Sequence, residues 1–114
     1  MSSQIAPGPT DLTPPIEINP QDWVEVTRIL QKQVPALEVW AFGSRARRTA
    51  KPYSDLDLAL ITQQPLSLEK LASITHAFDS SDLPLRVDVV DWATTSETFR
   101  KIIERDKVVV QRGA

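Results

Sequence analysis

Two strand-like runs joined by a basic segment occupy residues 37–61, LEVWAFGSRARRTAKPYSDLDLALI. The first run, residues 37–42, is mostly apolar and is halted by Gly43, which is typical of a buried strand. Residues 44–50 can form a short helix that begins directly after this strand. A proline then breaks the chain before residues 55–61, whose alternating apolar pattern indicates a second strand. The pattern therefore predicts two neighbouring strands with a short helix between them.

Further helices and strands are predicted on both sides of this segment. Apolar residues recur at helical spacing in three other segments, residues 19–34, 66–78 and 94–103. The last of these helices is expected to open with a capping box formed by Thr94 and Glu97. Two more strands are expected, at residues 85–90 and 108–110. Strands that alternate with helices of this length predict an α/β or α+β fold, with helices packed on one side of the sheet.

The chain of 114 residues is expected to form one small domain preceded by an arm. Five of the nine prolines fall within residues 1–20, which predicts an extended proline-rich arm there and a folded domain over residues 21–114. We expect this length to leave no room for a second folded unit. Any second wall of a deep cleft would then come from another molecule.

Composition and charge exclude several classes of function. The absence of cysteine excludes disulfides, thiolate metal sites and thiol nucleophiles, and it fits a reducing compartment. With 13 basic and 15 acidic side chains, the net charge of −2 gives no general attraction to nucleic acid or anionic membranes. No apolar run reaches membrane-spanning length. We therefore predict a cytoplasmic protein with no direct nucleic-acid binding and no membrane association.

Asp55 and Asp57 form the first half of a candidate metal site. Alternate residues of a strand project from the same face, about 6.6 Å apart, so the two carboxylates can aim at one point. Hard cations such as magnesium take oxygen ligands and keep positions open for substrate phosphates. An Asp-x-Asp pair alone is more often a solvated strand face. Its combination with the Gly43-Ser44 pair favours a site for one or two Mg²⁺ ions and a nucleotide.

The phosphates of that nucleotide are expected on the other side, at the start of the short helix. Gly43 allows a sharp turn and a close approach of the backbone, and the amides from Ser44 onward can face an anion. Arg45 and Arg47 add guanidinium groups, which match phosphate oxygens. We therefore predict that Gly43, Ser44, Arg45 and Arg47 bind the nucleotide.

A third carboxylate is available in the next predicted strand, where Asp88 and Asp91 are alternatives. Asp88 is preferred, because a carboxylate flanked by Val87 and Val89 in a strand core needs a ligand to justify its burial. It could complete a two-metal site and accept a proton from an incoming hydroxyl.

The signature Gly43-Ser44-x10-Asp55-x-Asp57 resembles that of the DNA polymerase beta-type nucleotidyltransferases. The longer string over residues 43–60, with VDVVD at residues 87–91, is similar to the minimal nucleotidyltransferase (MNT) antitoxins that are paired with HEPN-domain toxins. This resemblance implies a mixed, partly antiparallel sheet with helices packed mainly on one face. It also implies magnesium at Asp55 and Asp57, with Asp88 as the third acidic ligand.

The same resemblance implies a function. Members of the MNT branch transfer AMP from ATP to a tyrosine hydroxyl of the HEPN partner, an RNase toxin, and thereby neutralise it. Arg48 departs from the pattern, since many members have glycine there. One alternative is a non-catalytic antitoxin that neutralises its partner by occlusion. Transfer to an antibiotic or to a nucleic-acid end is a weaker alternative, because such enzymes usually carry an additional substrate-binding domain.

Tyr53 is the only tyrosine and immediately precedes the Ser54-Asp55 pair. It could stack on a nucleotide base, but packing beside Pro52 is the preferred expectation.

Overall fold

The computed structural model describes residues 13–113 of the chain. The elements of this part are, in chain order, α1 (Pro20–Gln33), β1 (Glu38–Phe42), α2 (Ser44–Arg47), β2 (Leu56–Ile61), α3 (Leu68–Asp79), β3 (Val87–Asp91), a 3-10 turn (Trp92–Thr94), α4 (Glu97–Asp106) and β4 (Val108–Gln111). Most of the predicted arm, residues 1–12, lies outside the described residues. The division of the chain at residue 20 therefore stays a prediction.

The four strands form one sheet in the order β3-β2-β1-β4. β1 pairs antiparallel with both β2 and β4, whereas β2 and β3 run parallel. This arrangement confirms the mixed, partly antiparallel sheet. Its register places Phe42 opposite Asp57, and Asp57 opposite Asp88, so that these residues form one row across three strands.

The larger core lies on the face of the sheet that α1 and α3 cover. Buried apolar side chains of the two helices, Val26, Ile29, Leu30, Ile74 and Phe78, pack there against Val39, Ala41, Leu56, Leu58 and Leu60 of the strands. The opposite face carries a smaller cluster in which Ile103 and Phe99 of α4 pack on Trp40, Phe42 and Ala59. Because side chains alternate along a strand, Asp57 projects on the same face as Ala59. Both carboxylates of the row thus lie on the less covered face.

The segment that precedes α1 also belongs to the main core. Ile16 is only 1% exposed and Ile18 is buried with it. The Glu17 amide donates to the Arg45 carbonyl at 2.8 Å, which joins the segment to α2. This part of the predicted arm therefore contributes to the core of the domain.

Side-chain caps fix where the helices begin. The Asn19 side chain accepts from the Gln21 amide at 2.9 Å and so caps α1. The predicted capping box at Thr94 is wrong, since Ser96 caps α4 by accepting from the Phe99 amide at 3.2 Å. Thr94 instead belongs to the 3-10 turn, and its hydroxyl donates to the Asp91 carbonyl. Within residues 13–113, no helix has the length and apolar character needed to cross a membrane.

Candidate active site

The turn between β1 and α2 depends on the glycine at position 43. Its φ of 79° lies in the region that side chains other than hydrogen rarely adopt. A Cβ atom at this position would stand 2.5 Å from Oδ2 of Asp57, which is closer than two such atoms can approach. Glycine at this position thus permits a close approach to the central carboxylate of the row, whereas its predicted approach to nucleotide phosphates stays a prediction.

α2 is a single turn, Ser44–Arg47, and Arg48 is the residue that caps its end. The Arg47 amide bonds to the Gly43 carbonyl at 3.0 Å, so the amides of Ser44, Arg45 and Ala46 precede the first bond of the helix. Arg48 has a left-handed backbone with φ of 61°. Glycine is the common residue in that conformation at the end of a helix, which explains why glycine would be expected where this chain has Arg48. Its side chain donates to the Pro14 carbonyl at 3.3 Å.

Three carboxylates meet around Asp57, the half-buried member of the row. Burial raises the pKa of Asp57 above its ordinary value, and the negative charges of Asp88 and Asp55 raise it further. The positive charge of Arg47 acts in the opposite direction. The four side chains are thus close enough to interact electrostatically. Within the described part of the chain, however, no three acidic, histidine or cysteine side chains form a closed metal-ligand group.

Asp88 and Asp91 have different surroundings. Asp88 is partly exposed beside Asp57, and its Oδ1 forms an ion pair with Nε of Arg86 at 3.0 Å. Asp91 is buried, and its carboxylate accepts from the Thr62 hydroxyl and from the amides of Leu66, at 2.7 Å, and Ala93, at 3.2 Å. The lone pairs of Asp91 are therefore used within the fold. Of the two alternatives, only Asp88 stands beside the other two carboxylates.

Arg45 does not lie where the sequence analysis expected it. Its side chain is only 5% exposed, and its guanidinium donates to three carbonyls, those of Glu17 at 2.9 Å, Pro52 at 3.2 Å and Ser54 at 3.0 Å. We therefore correct the prediction that Arg45 contacts the triphosphate, because its guanidinium is buried and bound to carbonyls of the segment before α1 and of the loop that leads to Asp55. The spacing of Arg45 and Arg47 could have indicated this difference, because residues two apart on a helix face different directions.

Arg47 faces the opposite way and is half-exposed. Its Nη1 donates to Oδ2 of Asp106 at 2.7 Å, and Nε of Arg105 contacts the other oxygen at 3.2 Å. The hydrogen bond from Arg105, followed by that from Arg47, lowers the pKa of Asp106, while partial burial opposes the change. The sequence analysis missed Asp106, because no local pattern shows that the end of α4 returns to α2.

Tyr53 lies in the turn between α2 and β2 and is 87% exposed. The expectation that it packs beside Pro52 is therefore wrong. The turn is held by other groups, among them the Ser54 hydroxyl, which accepts from the Lys51 amide at 2.9 Å. The ring is left accessible to a molecule that binds beside Asp55.

Comparison with known proteins places this site in a family. Residues 25–113 match the family described as "Polymerase beta, Nucleotidyltransferase". The chain is 51% identical over 96 residues to the probable protein adenylyltransferase MntA of Haemophilus influenzae, a match that covers 84% of each protein.

Two solved structures share the fold at low sequence identity. One is a toxin–antitoxin with AMP-PNP, at a TM-score of 0.68 and 21% identity over 80% of this chain and 73% of that chain. The other is the tri-AMPylated HEPN toxin of Shewanella oneidensis in complex with its MNT antitoxin, at a TM-score of 0.55 and 20% identity over 81% and 71%. These likenesses confirm the predicted fold class.

Proposed function

Because the chain belongs to the polymerase beta nucleotidyltransferase family, we propose that it is an antitoxin that transfers AMP from ATP to a tyrosine hydroxyl of a HEPN-domain toxin. The observation that carries the proposal is the approach of Gly43 to Asp57 within a cluster of three carboxylates. The identity of 51% to a protein named as an adenylyltransferase supports the same reaction. The neighbours that hold AMP-PNP and an AMPylated HEPN toxin support the nucleotide and the class of partner.

The carboxylate cluster has the chemistry that magnesium requires. Its donors are all oxygen atoms, and the burial and neighbouring negative charges that raise the pKa of Asp57 are both conditions that a divalent cation would offset. We propose that Asp55 and Asp57 hold one or two Mg²⁺ ions and that Asp88 is the third acidic ligand. When bound, magnesium supplies positive charge that neutralises the phosphates and the departing pyrophosphate.

The β1–α2 turn and Arg47 are suited to hold the triphosphate. The turn approaches Asp57 at Gly43, the amides that follow it precede the first hydrogen bond of α2, and Arg47 adds a positive charge. Arg45 acts indirectly, by fixing the loop from Pro52 to Ser54 that precedes Asp55.

The proposed reaction is an in-line displacement at the α-phosphorus. A bond forms between the tyrosine oxygen and the α-phosphorus, and the bond from the α-phosphorus to the bridging oxygen breaks, so that pyrophosphate leaves. The phenolic proton passes to the carboxylate of Asp88 and then to water. Catalysis in this scheme is mostly positioning and charge neutralisation.

The proposal is tested by incubating the chain with its HEPN partner, magnesium and ATP labelled in the α-phosphate. We expect label on the toxin with the wild-type chain and none with the double variant Asp55→Asn, Asp57→Asn. Glu25→Gln is the matched control, because it removes an exposed carboxylate on α1 that pairs only with Arg28 among residues 13–113. The proposal is contradicted if the wild-type reaction leaves no label on the toxin, or if the double variant still transfers label.

The same mixture separates catalysis from occlusion. If the toxin is modified covalently, it stays inhibited after the antitoxin has been removed. Immediate recovery of toxin activity would instead identify a non-catalytic antitoxin. We also propose the cytoplasm as the location and no direct binding to nucleic acid, on the grounds of the missing cysteine and the net charge of −2.

A further inference from the structure

The ion pair between Arg47 and Asp106 joins the candidate active site to the far end of α4. The two residues are 59 positions apart in the chain, and the Nη1–Oδ2 distance is 2.7 Å. The Asp106 side chain is 5% exposed, because it lies between the side chains of Arg47 and Arg105. Each oxygen of the carboxylate thus accepts from one guanidinium group.

α4 is anchored to the sheet close to both of its ends, so the position of Asp106 is fixed. Nζ of Lys107, the residue after the helix, lies 4.0 Å from the centre of the Trp40 ring. Trp40 meets Trp92 edge-on at 5.1 Å, and the Arg100 guanidinium lies 4.8 Å from the Trp92 ring. Arg100 also donates to the Trp92 carbonyl at 2.6 Å. Together with Ile103, the α4 residue that is buried against Trp40 and Ala59, these contacts hold α4 on the sheet.

Arg47 has hydrogen-bonding capacity left after it has met Asp106. A guanidinium carries five N–H donors, and among residues 13–113 the Arg47 side chain makes one hydrogen bond. The Arg47 amide bonds at 3.0 Å to the carbonyl of Gly43, the residue that stands against the Asp57 carboxylate, so α2 carries Arg47 close to Asp57. Arg47 thus stands between an anion that fixes it and the carboxylate cluster where the nucleotide is proposed to bind.

We propose that Asp106 is a positioning residue, which holds the Arg47 guanidinium beside Asp57 so that its remaining N–H groups meet the β- and γ-phosphates of ATP. The inference rests on the proposed function and assigns to α4 a part in nucleotide recognition. A long arginine side chain that is held in one rotamer loses less entropy when a phosphate binds. The alternative is a salt bridge that only stabilises α4, which would leave the binding of ATP unchanged.

The first test compares Asp106→Asn with wild type, with Glu25→Gln as control. Asparagine keeps the shape of the side chain and removes its charge. We expect the KM for ATP in AMP transfer to rise roughly fivefold to tenfold, with kcat within about twofold of wild type. Equilibrium dialysis with magnesium should show weaker binding of ATP and unchanged binding of AMP, which has no β- or γ-phosphate. Asp106→Glu should recover part of the loss.

The second test asks whether Asp106 acts through Arg47. Arg47→Ala should weaken ATP binding by itself, and adding Asp106→Asn to that variant should change nothing further. The inference is overturned if Asp106→Asn lowers the melting temperature but leaves the KM for ATP unchanged. It is equally overturned if the variant binds ATP more tightly, or if the two substitutions have additive effects.

The outcomes separate this inference from the proposed function. Wild-type chain that transfers AMP with a KM unaffected by Asp106→Asn contradicts the positioning role alone. Wild-type chain that binds ATP in an Asp106-dependent way, but transfers no AMP to the HEPN partner, contradicts the proposed reaction alone.

Discussion

At position 43 the backbone conformation and the neighbouring Asp57 carboxylate both exclude a Cβ atom. The positive φ excludes most side chains, and the Asp57 carboxylate fills the place that a Cβ would take. The residue thus brings the turn into contact with the carboxylate on which the proposed metal site depends. Gly113 offers a comparison, because its φ of 80° and its close backbone neighbours make a substitution there equally strained. Its neighbours belong to residues 36–38, at the start of β1 and at the opposite end of that strand from Gly43.

Gly43→Ala is therefore predicted to damage activity far more than stability. The added methyl group must displace Asp57, and a displacement of about 1 Å at a catalytic group can lower kcat/KM by about 100-fold. Strain at the backbone should cost about 1–3 kcal/mol of unfolding free energy. AMP transfer and urea denaturation measure the two effects. Gly113→Ala should show a similar loss of stability with kcat/KM of the folded fraction retained, and an equal loss of activity in both variants would contradict the assignment.

A second prediction concerns the charge on Asp57. Because its pKa is raised in the folded chain, the folded chain holds the Asp57 proton more tightly than the unfolded chain does. Stability therefore falls as the pH rises from about 4 through the raised pKa. Asp57→Asn removes the repulsion from Asp55 and Asp88, so we expect a higher melting temperature near neutral pH, no AMP transfer, and a stability difference that shrinks toward pH 4. Magnesium should raise the melting temperature of wild type more than that of the variant.

Thermal melts across that pH range, with and without magnesium, check this prediction. Glu104→Gln, at an exposed position on α4, is the control and should leave the melting temperature nearly unchanged at every pH. A variant that is less stable than wild type at neutral pH would show that the Asp57 charge is compensated within the fold.

At the scale of single elements, local patterns were sufficient wherever burial follows the period of the helix or strand. The strands β1 and β2 lie within the predicted runs, because apolar alternation alone determines which side chains enter the core. The start of α4 was misplaced, since Thr94 and Ser96 are both good caps and only the 3-10 turn after β3 selects the second. Where two possible caps are equally good, the tertiary path of the chain determines which one begins the helix.

The two arginines of α2 show the same limit within one helical turn. Their residue type and spacing predicted a shared role, yet Arg45 is buried against three carbonyls and Arg47 reaches α4. The direction of each side chain follows from what covers α2, namely the segment before α1 on one side and Asp106 on the other. Those partners come from remote parts of the sequence, so no motif confined to residues 43–57 could reveal them.

On the scale of the whole molecule, both ends of the described chain pack against its central elements. β4 pairs with β1, and Nε2 of the buried Gln111 donates to the carbonyls of Val34 and Leu37 at 2.8 Å each. At the other end, Ile16 joins the core beneath α1. The family match begins only at residue 25, whereas the packing begins before α1. The folded unit defined by packing is thus longer than the one defined by the motif.

Ile16→Ala tests that conclusion directly. Ile16 is 1% exposed, and truncation of a buried isoleucine to alanine typically costs about 2–5 kcal/mol through lost burial and the cavity that remains. Urea denaturation should show a lower midpoint with an unchanged slope. Leu68→Ala is the matched control, since Leu68 is 85% exposed and should change the free energy of unfolding by less than about 0.5 kcal/mol. If Ile16→Ala were as stable as Leu68→Ala, the segment before α1 would be an appendage, and the domain would begin with α1.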